Sequence, residues 1–155
     1  MIKRASDVLQ KAKNYAFLLL KVRQRSEKEI QGRLKRKKFD DDIIREVLSF
    51  LKEKAFINDT DFTKSWIESR LQKRLGLRRI EQELKVKGIE RQTIERELRE
   101  AKKGYVESEI VLRIARDRLG RLKDIEPQKA KRRIFSYLAR RGFSPEIIFD
   151  VINNL

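Results

Sequence analysis

Two residue types are missing from this 155-residue chain altogether: cysteine and histidine. Without cysteine there is no disulfide, no thiolate zinc ligand and no sulfur nucleophile. Without histidine the commonest general base and the commonest metal ligand are gone. Long apolar runs are missing too. The longest, AFLLL at 16–20, lies between Lys13 and Lys21 and is too short for a signal segment or a membrane span. These absences exclude much familiar catalysis, and the expectation is a cytosolic protein with no cofactor. No alternating strand pattern occurs, so the expected fold is all-α.

Charge is what the chain has in excess. Charged residues make up 41% of it, and 40 Lys and Arg face 24 Asp and Glu, a formal net charge of +16. Such a field attracts polyanions over a Debye length, about 8 Å at physiological salt. Nucleic acid, or an assembly containing it, is the first partner this implies. The basic residues are spread along the sequence rather than gathered on one amphipathic segment, which argues against a membrane surface.

An internal repeat organises the rest. LKRKKFDDDIIREVL (34–48), LKVKGIERQTIEREL (84–98) and LARRGFSPEIIFDVI (138–152) share a leucine, a basic residue three positions on, then Phe or Ile, and a further Ile five beyond that. Ile30, Ile80 and Ile134 each stand four residues before the leucine. The reading is three tandem three-helix units, 1–57, 58–105 and 106–155, forming an elongated, curved array in which each unit contacts mainly its neighbour.

First helices follow from apolar residues at helical spacing: Leu9, Ala12, Ala16, Leu19 and Leu20, then Phe62, Trp66, Ile67 and Leu71, then Ile110, Ile114 and Leu119. Ser6 and Asp59 are expected to mark starts. Ser26 with Glu29 spells a capping box, and Pro127 suits a first helical position. Gly88 and Gly142 are placed just past the second helices, as left-handed closing residues. Asp40, Glu90 and Ser144 are placed at the N-caps of the third helices. Phe39 with Ile44, Ile89 with Ile94, and Phe143 with Ile148 then fall where a hydrophobic staple fixes the chain's entry angle.

Asp40, Asp41 and Asp42 form the one acidic run that invites a magnesium site. They sit at a helix start, where the dipole favours negative charge, and the other units carry Glu90-Arg91-Gln92 and Ser144-Pro145-Glu146 instead, so the run reads as structural. The basic residues exceed what helix ends account for. The units carry 16, 13 and 11 basic residues against 8, 9 and 7 acidic ones, so every unit is net positive. The expected contact face comprises Arg33, Lys35, Arg36 and Lys37 in unit one. In unit two it comprises Arg70, Lys73, Arg74, Arg78, Arg79, Lys85 and Lys87, and in unit three Lys131, Arg132, Arg133, Arg140 and Arg141. Aromatic stacking on bases is not expected, because Phe39 and Phe143 are staples and Trp66 and Tyr137 are read as core. On charge alone, the chain reads as a monomeric, sequence-nonspecific module for the DNA backbone.

Four segments carry a more specific likeness. RQRSEKEIQGRLKRKKF (23–39), FINDTDFTKSWIESR (56–70), RRIEQELKVKGI (78–89) and RRIFSYLARRGF (132–143), taken in series, resemble the RecX family of bacterial recombinase regulators. The resemblance implies tandem three-helix repeats that lie in the groove of the RecA-DNA filament and inhibit its growth, its ATP hydrolysis and strand exchange, with no enzymatic activity of their own. Lys38 stands where the family usually has glycine, and Ala55 where it has a small turn residue.

Overall fold

In the computed structural model, which describes residues 2–155, nine helices and no strands occur among the described residues. They are α1 (Ile2–Val22), α2 (Glu27–Arg36), α3 (Asp41–Glu53), α4 (Asp59–Gln72), α5 (Leu77–Val86), α6 (Arg91–Ala101), α7 (Glu107–Arg121), α8 (Pro127–Arg140) and α9 (Pro145–Asn153). The main helix-to-helix packing lies within the triplets α1–α3, α4–α6 and α7–α9. Each triplet has its own apolar cluster: around Ile30, Leu34, Ile44 and Leu51, around Ile80, Leu84, Ile89 and Ile94, and around Ile134, Leu138, Phe143 and Ile148. The chain exposes 10722 Å², whereas a compact monomer of its 18.6 kDa mass exposes about 8,200 Å². Three small cores in a row, rather than one large core, account for the excess.

The joint between second and third helices repeats in detail. Lys38, Gly88 and Gly142 are left-handed, with φ of 63°, 77° and 93°. The next residue donates its N–H back to the leucine of the helix it has left: Phe39 to Leu34, Ile89 to Leu84 and Phe143 to Leu138, at 3.3, 3.2 and 3.3 Å. This is the Schellman closure with its apolar contact. The Ser26–Glu29 capping box is present, and Pro127 is the first residue of α8.

Several details differ from the sequence reading. Ser6 lies inside α1, which already runs from Ile2. The cap of α4 is Asn58, whose Oδ1 accepts the Asp61 N–H at 3.1 Å, so Asp59 is the first helical residue rather than the cap. Asp40, Glu90 and Ser144 hold the N-cap positions of α3, α6 and α9, but none makes a side-chain cap hydrogen bond. For α3 the dipole is met by Asp41 and Asp42 in the first turn. Ser144 turns elsewhere: its N–H and hydroxyl both donate to the Glu107 carboxylate, at 3.0 and 2.9 Å. Trp66 and Tyr137 pack against the cores of units two and three, but at their edges, each half-buried. Each lies under a guanidinium, Arg70 4.2 Å and Arg118 3.6 Å from the ring centroid.

Between units, the second helices meet end to end. The Gly76 N–H at the start of α5 donates to the Arg141 carbonyl at the end of α8 (2.8 Å), and the Arg78 N–H donates to the Gly142 carbonyl (3.3 Å). At the other end of α5, the Ser26 hydroxyl at the start of α2 donates to the Lys87 carbonyl (2.7 Å). So α8, α5 and α2 stack head to tail, and at each joint the carbonyl end of one helix faces the amide end of the next.

Candidate polyanion interface

The two joints gather the cationic side chains into clefts. At the α2–α5 joint a cleft of ≈ 530 Å³ is lined by Arg23, Arg25, Lys28, Arg33, Lys35, Arg36 and Lys87, with Glu29 the one carboxylate. Of the residues expected from the sequence, Arg33, Lys35, Arg36 and Lys87 come together here. Lys37, the C-cap of α2, stands beside them with its Nζ 5.2 Å from the Tyr15 ring.

Glu29 is the hub of this cleft. Its Oε1 accepts from Arg23 at 2.7 Å and from Lys87 at 2.5 Å, and its Oε2 accepts from Arg23 at 3.2 Å and from the Ser26 N–H at 3.0 Å. Burial alone would raise its pKa. The hydrogen bonds from Arg23, Lys87 and the Ser26 N–H outweigh that and hold the carboxyl down to about 2.

A second cleft at the same joint, ≈ 340 Å³, brings Glu27, Asp59 and Glu90 near Lys52. Asp59 accepts the Glu27 N–H at 2.9 Å, and burial pushes its pKa up. Among the described residues no acidic group has the arrangement of a metal site.

At the α5–α8 joint the expected arginines are mostly used by the fold. Arg141 donates to the carbonyls of Lys73 and Arg74. Arg70 and Arg79 share the Glu83 carboxylate at 2.8 and 3.3 Å. Arg78 pairs with Glu146 at 3.6 Å and Arg74 with Asp117 at 3.9 Å. A cleft of ≈ 130 Å³ here holds Arg74 and Arg141 together with Arg118, Arg121 and Tyr137. Lys85 reaches Glu81 at 3.3 Å. Arg140 is exposed and its carbonyl takes an N–H from Arg79 at 3.5 Å. Lys131, Arg132 and Arg133 lie on α8 outside these three clefts, Arg132 and Arg133 exposed.

Sequence reasoning missed Arg23, Arg25 and Lys28 on one cleft and Arg118 and Arg121 on the other. The first three flank the Ser26 cap, and Arg25 takes the position just before it, where an apolar staple residue is the norm. That misfit was the available signal.

Fold and surface together define a basic, tandem three-helix-repeat protein; among the described residues no helix is long and apolar enough to cross a membrane. Family models described as the RecX first, second and third three-helix domains match residues 12–51, 58–98 and 106–152. Regulatory protein RecX of Mycobacterium sp. (strain JLS) is 36% identical over 148 residues, covering 92% of this chain and 80% of that one. Regulatory protein RecX of Caldanaerobacter subterraneus subsp. tengcongensis is 33% identical over 144 residues, covering 93% and 70%. The crystal structure of RecX from Lactobacillus salivarius superposes with a TM-score of 0.79 over 97% of both chains at 24% identity, a likeness of fold. The chain belongs to the RecX family of regulatory proteins.

Proposed function

We propose that this protein regulates RecA by docking, as a monomer in the cytosol, on the RecA-DNA filament, where it inhibits filament extension, ATP hydrolysis and strand exchange without catalysing a reaction itself. The observation that carries this reading is the match of all three repeats, in order, to the RecX domains. The net charge of +16, shared by every unit, supports it, because an extended polyanionic assembly can meet every repeat at once. On this reading the exposed cations of α2 and α8, including Arg36, Lys37, Arg132, Arg133 and Arg140, face acidic RecA surfaces or DNA phosphates. Added to RecA, single-stranded DNA and ATP, the protein should depress phosphate release at well below one copy per RecA. Unchanged ATPase and strand exchange at equimolar protein would sink the proposal.

A further inference from the structure

Arg25 is placed where a cation is least welcome. It is 8% exposed, and its Nε is enclosed without a hydrogen-bond partner, although the residue lines the cleft. It precedes the N-cap of α2, at the positive end of that helix dipole. Arg23 and Arg33 lie close enough to disfavour its charge, which burial also disfavours. The one nearby carboxylate, Glu29, already accepts four hydrogen bonds, about the capacity of its two oxygens. Buried arginine is rarely left unpaired, because desolvating a charge without a partner costs several kcal/mol.

The other repeats show what the fold itself asks for at this position. The residues before the N-caps Gly76 and Glu126 are Leu75 and Ile125, and Leu75 is buried in its unit's core. An apolar residue therefore serves the repeat, and unit one departs from it at a site that opens onto the strongly cationic α2–α5 cleft. Gly32, inside α2 on the wall of the same cleft, leaves open space where a side chain would stand.

We infer that the α2–α5 cleft is a phosphate-binding site in which the Arg25 guanidinium is the anchor, taking successive phosphates of a polyphosphate chain between itself and Arg33, Lys35 and Arg36. Guanidinium forks match phosphate oxygens in pairs, and a multiply charged chain suits seven clustered cations better than a single carboxylate does. No aromatic side chain lines the cleft, so recognition is of the backbone and is blind to bases. This chemistry comes from two sources, a nucleic-acid strand or free inorganic polyphosphate. The inference deepens the reading of this face as a polyanion interface, and its test contains no RecA, so the two can fail separately.

The full chain is titrated against a fluorescent oligothymidylate and, in a second arm, against sodium tripolyphosphate read by thermal shift, with Arg25→Leu, Arg25→Lys and Arg36→Gln as variants. Arg25→Leu should unfold at a temperature equal to or above that of the parent. It should bind about tenfold more weakly, as expected for losing a charge-assisted bond at a desolvated site, against about twofold for the rim change Arg36→Gln. Arg25→Lys should fall between. The salt slope of Arg25→Leu should drop by about 0.7, one phosphate on a single strand, while Arg25→Lys, which keeps the charge, should leave it unchanged. Arg25-dependent binding in the first arm identifies the nucleic-acid backbone as the source, and in the second arm alone, free polyphosphate. A fall in unfolding temperature with binding unchanged would make Arg25 structural and overturn the inference. So would equal losses for Arg25→Leu and Arg36→Gln, or equally Arg25-dependent binding of polyglutamate.

Discussion

The two joints of the array bring the same helix ends together by different chemistry. At α2–α5 the contact runs through side chains: the Ser26 hydroxyl on the Lys87 carbonyl, the Lys87 ammonium on Glu29, and Asp59 on the Glu27 N–H. At α5–α8 the backbones themselves meet, Gly76 and Arg78 donating to the Arg141 and Gly142 carbonyls, and the side chains of Arg78, Arg79 and Arg141 add to that contact. The first joint is the one sensitive to protonation, while size matters at both and most where the backbones touch. A side chain capable of titrating spans one gap, and the absence of a side chain closes the other.

The largest effect should come from the second joint. Gly76 has an ordinary φ of −76°, so its need is for space alone: an added Cβ would lie 2.2 Å from the Gly142 carbonyl carbon and oxygen. Gly76→Ala should therefore cost about 3 kcal/mol in urea unfolding, the upper end of overpacking penalties, with little dependence on pH. A cost below about 0.5 kcal/mol would mean the joint opens without consequence for stability.

The first joint should fail in acid. The Glu29 carboxyl is held to about 2, below its ordinary 4.5. Its contribution is therefore complete above pH 5 and is lost as pH falls toward 2, roughly 2 kcal/mol after discounting for partial solvent access. Unfolding curves at pH 7, 5 and 3 should show this loss in the parent and not in Glu29→Gln. An identical pH dependence in both would remove Glu29 from the account.

The smallest effect is a gain, and it sharpens the comparison by using the second-helix end of unit one. At Gly88 an added Cβ would strike the Lys28 side chain at 2.3 Å, and at Gly142 the Arg79 Cβ at 2.3 Å, so those glycines are required for both space and a positive φ. Lys38 has the positive φ, and among the described residues no backbone hydrogen bond joins another unit to this helix end. Lys38→Gly should stabilise the fold by up to about 1 kcal/mol, read as a raised urea midpoint. A lowered midpoint would show that Lys38 has a partner worth more than its backbone strain.

Local structure was largely legible in the sequence because it rests on short-range rules. Ser26 with Glu29, Pro127, and the glycines after α5 and α8 all stand within a few residues of what they act on. Where several neighbours are equally competent, as in Asn58-Asp59-Thr60-Asp61, local rules do not choose, and the cap fell one residue earlier than expected. Ser6 misled because nothing before it breaks a helix. The joints were not legible at all: Ser26 and Lys87 are 61 residues apart, and which helix end faces which is set by three-dimensional stacking that no single repeat encodes. The site suffered in the same way. Counting charges found Arg33 to Lys37 at a helix end but assigned Lys87 and Arg141 to a contact face, whereas each also reaches across a joint within the chain. Arg25 was passed over because its oddity is positional, a cation where Leu75 and Ile125 stand in the sister units.

The stacking of α8 on α5 on α2 makes the array unequal under truncation. Both α2 and α5 have opening amides completed by the unit that follows in the chain, Glu27 by Asp59 and Gly76 by Arg141, so synthesis finishes both joints from behind. Cutting away the last repeat strips donors at Gly76 and Arg78 of their acceptors and reopens α5. Cutting away the first leaves the opening of α5 intact and bares the Lys87 carbonyl, the Lys87 ammonium and the Asp59 carboxylate, all of which water readily serves. The protein is held shut from its C-terminal side.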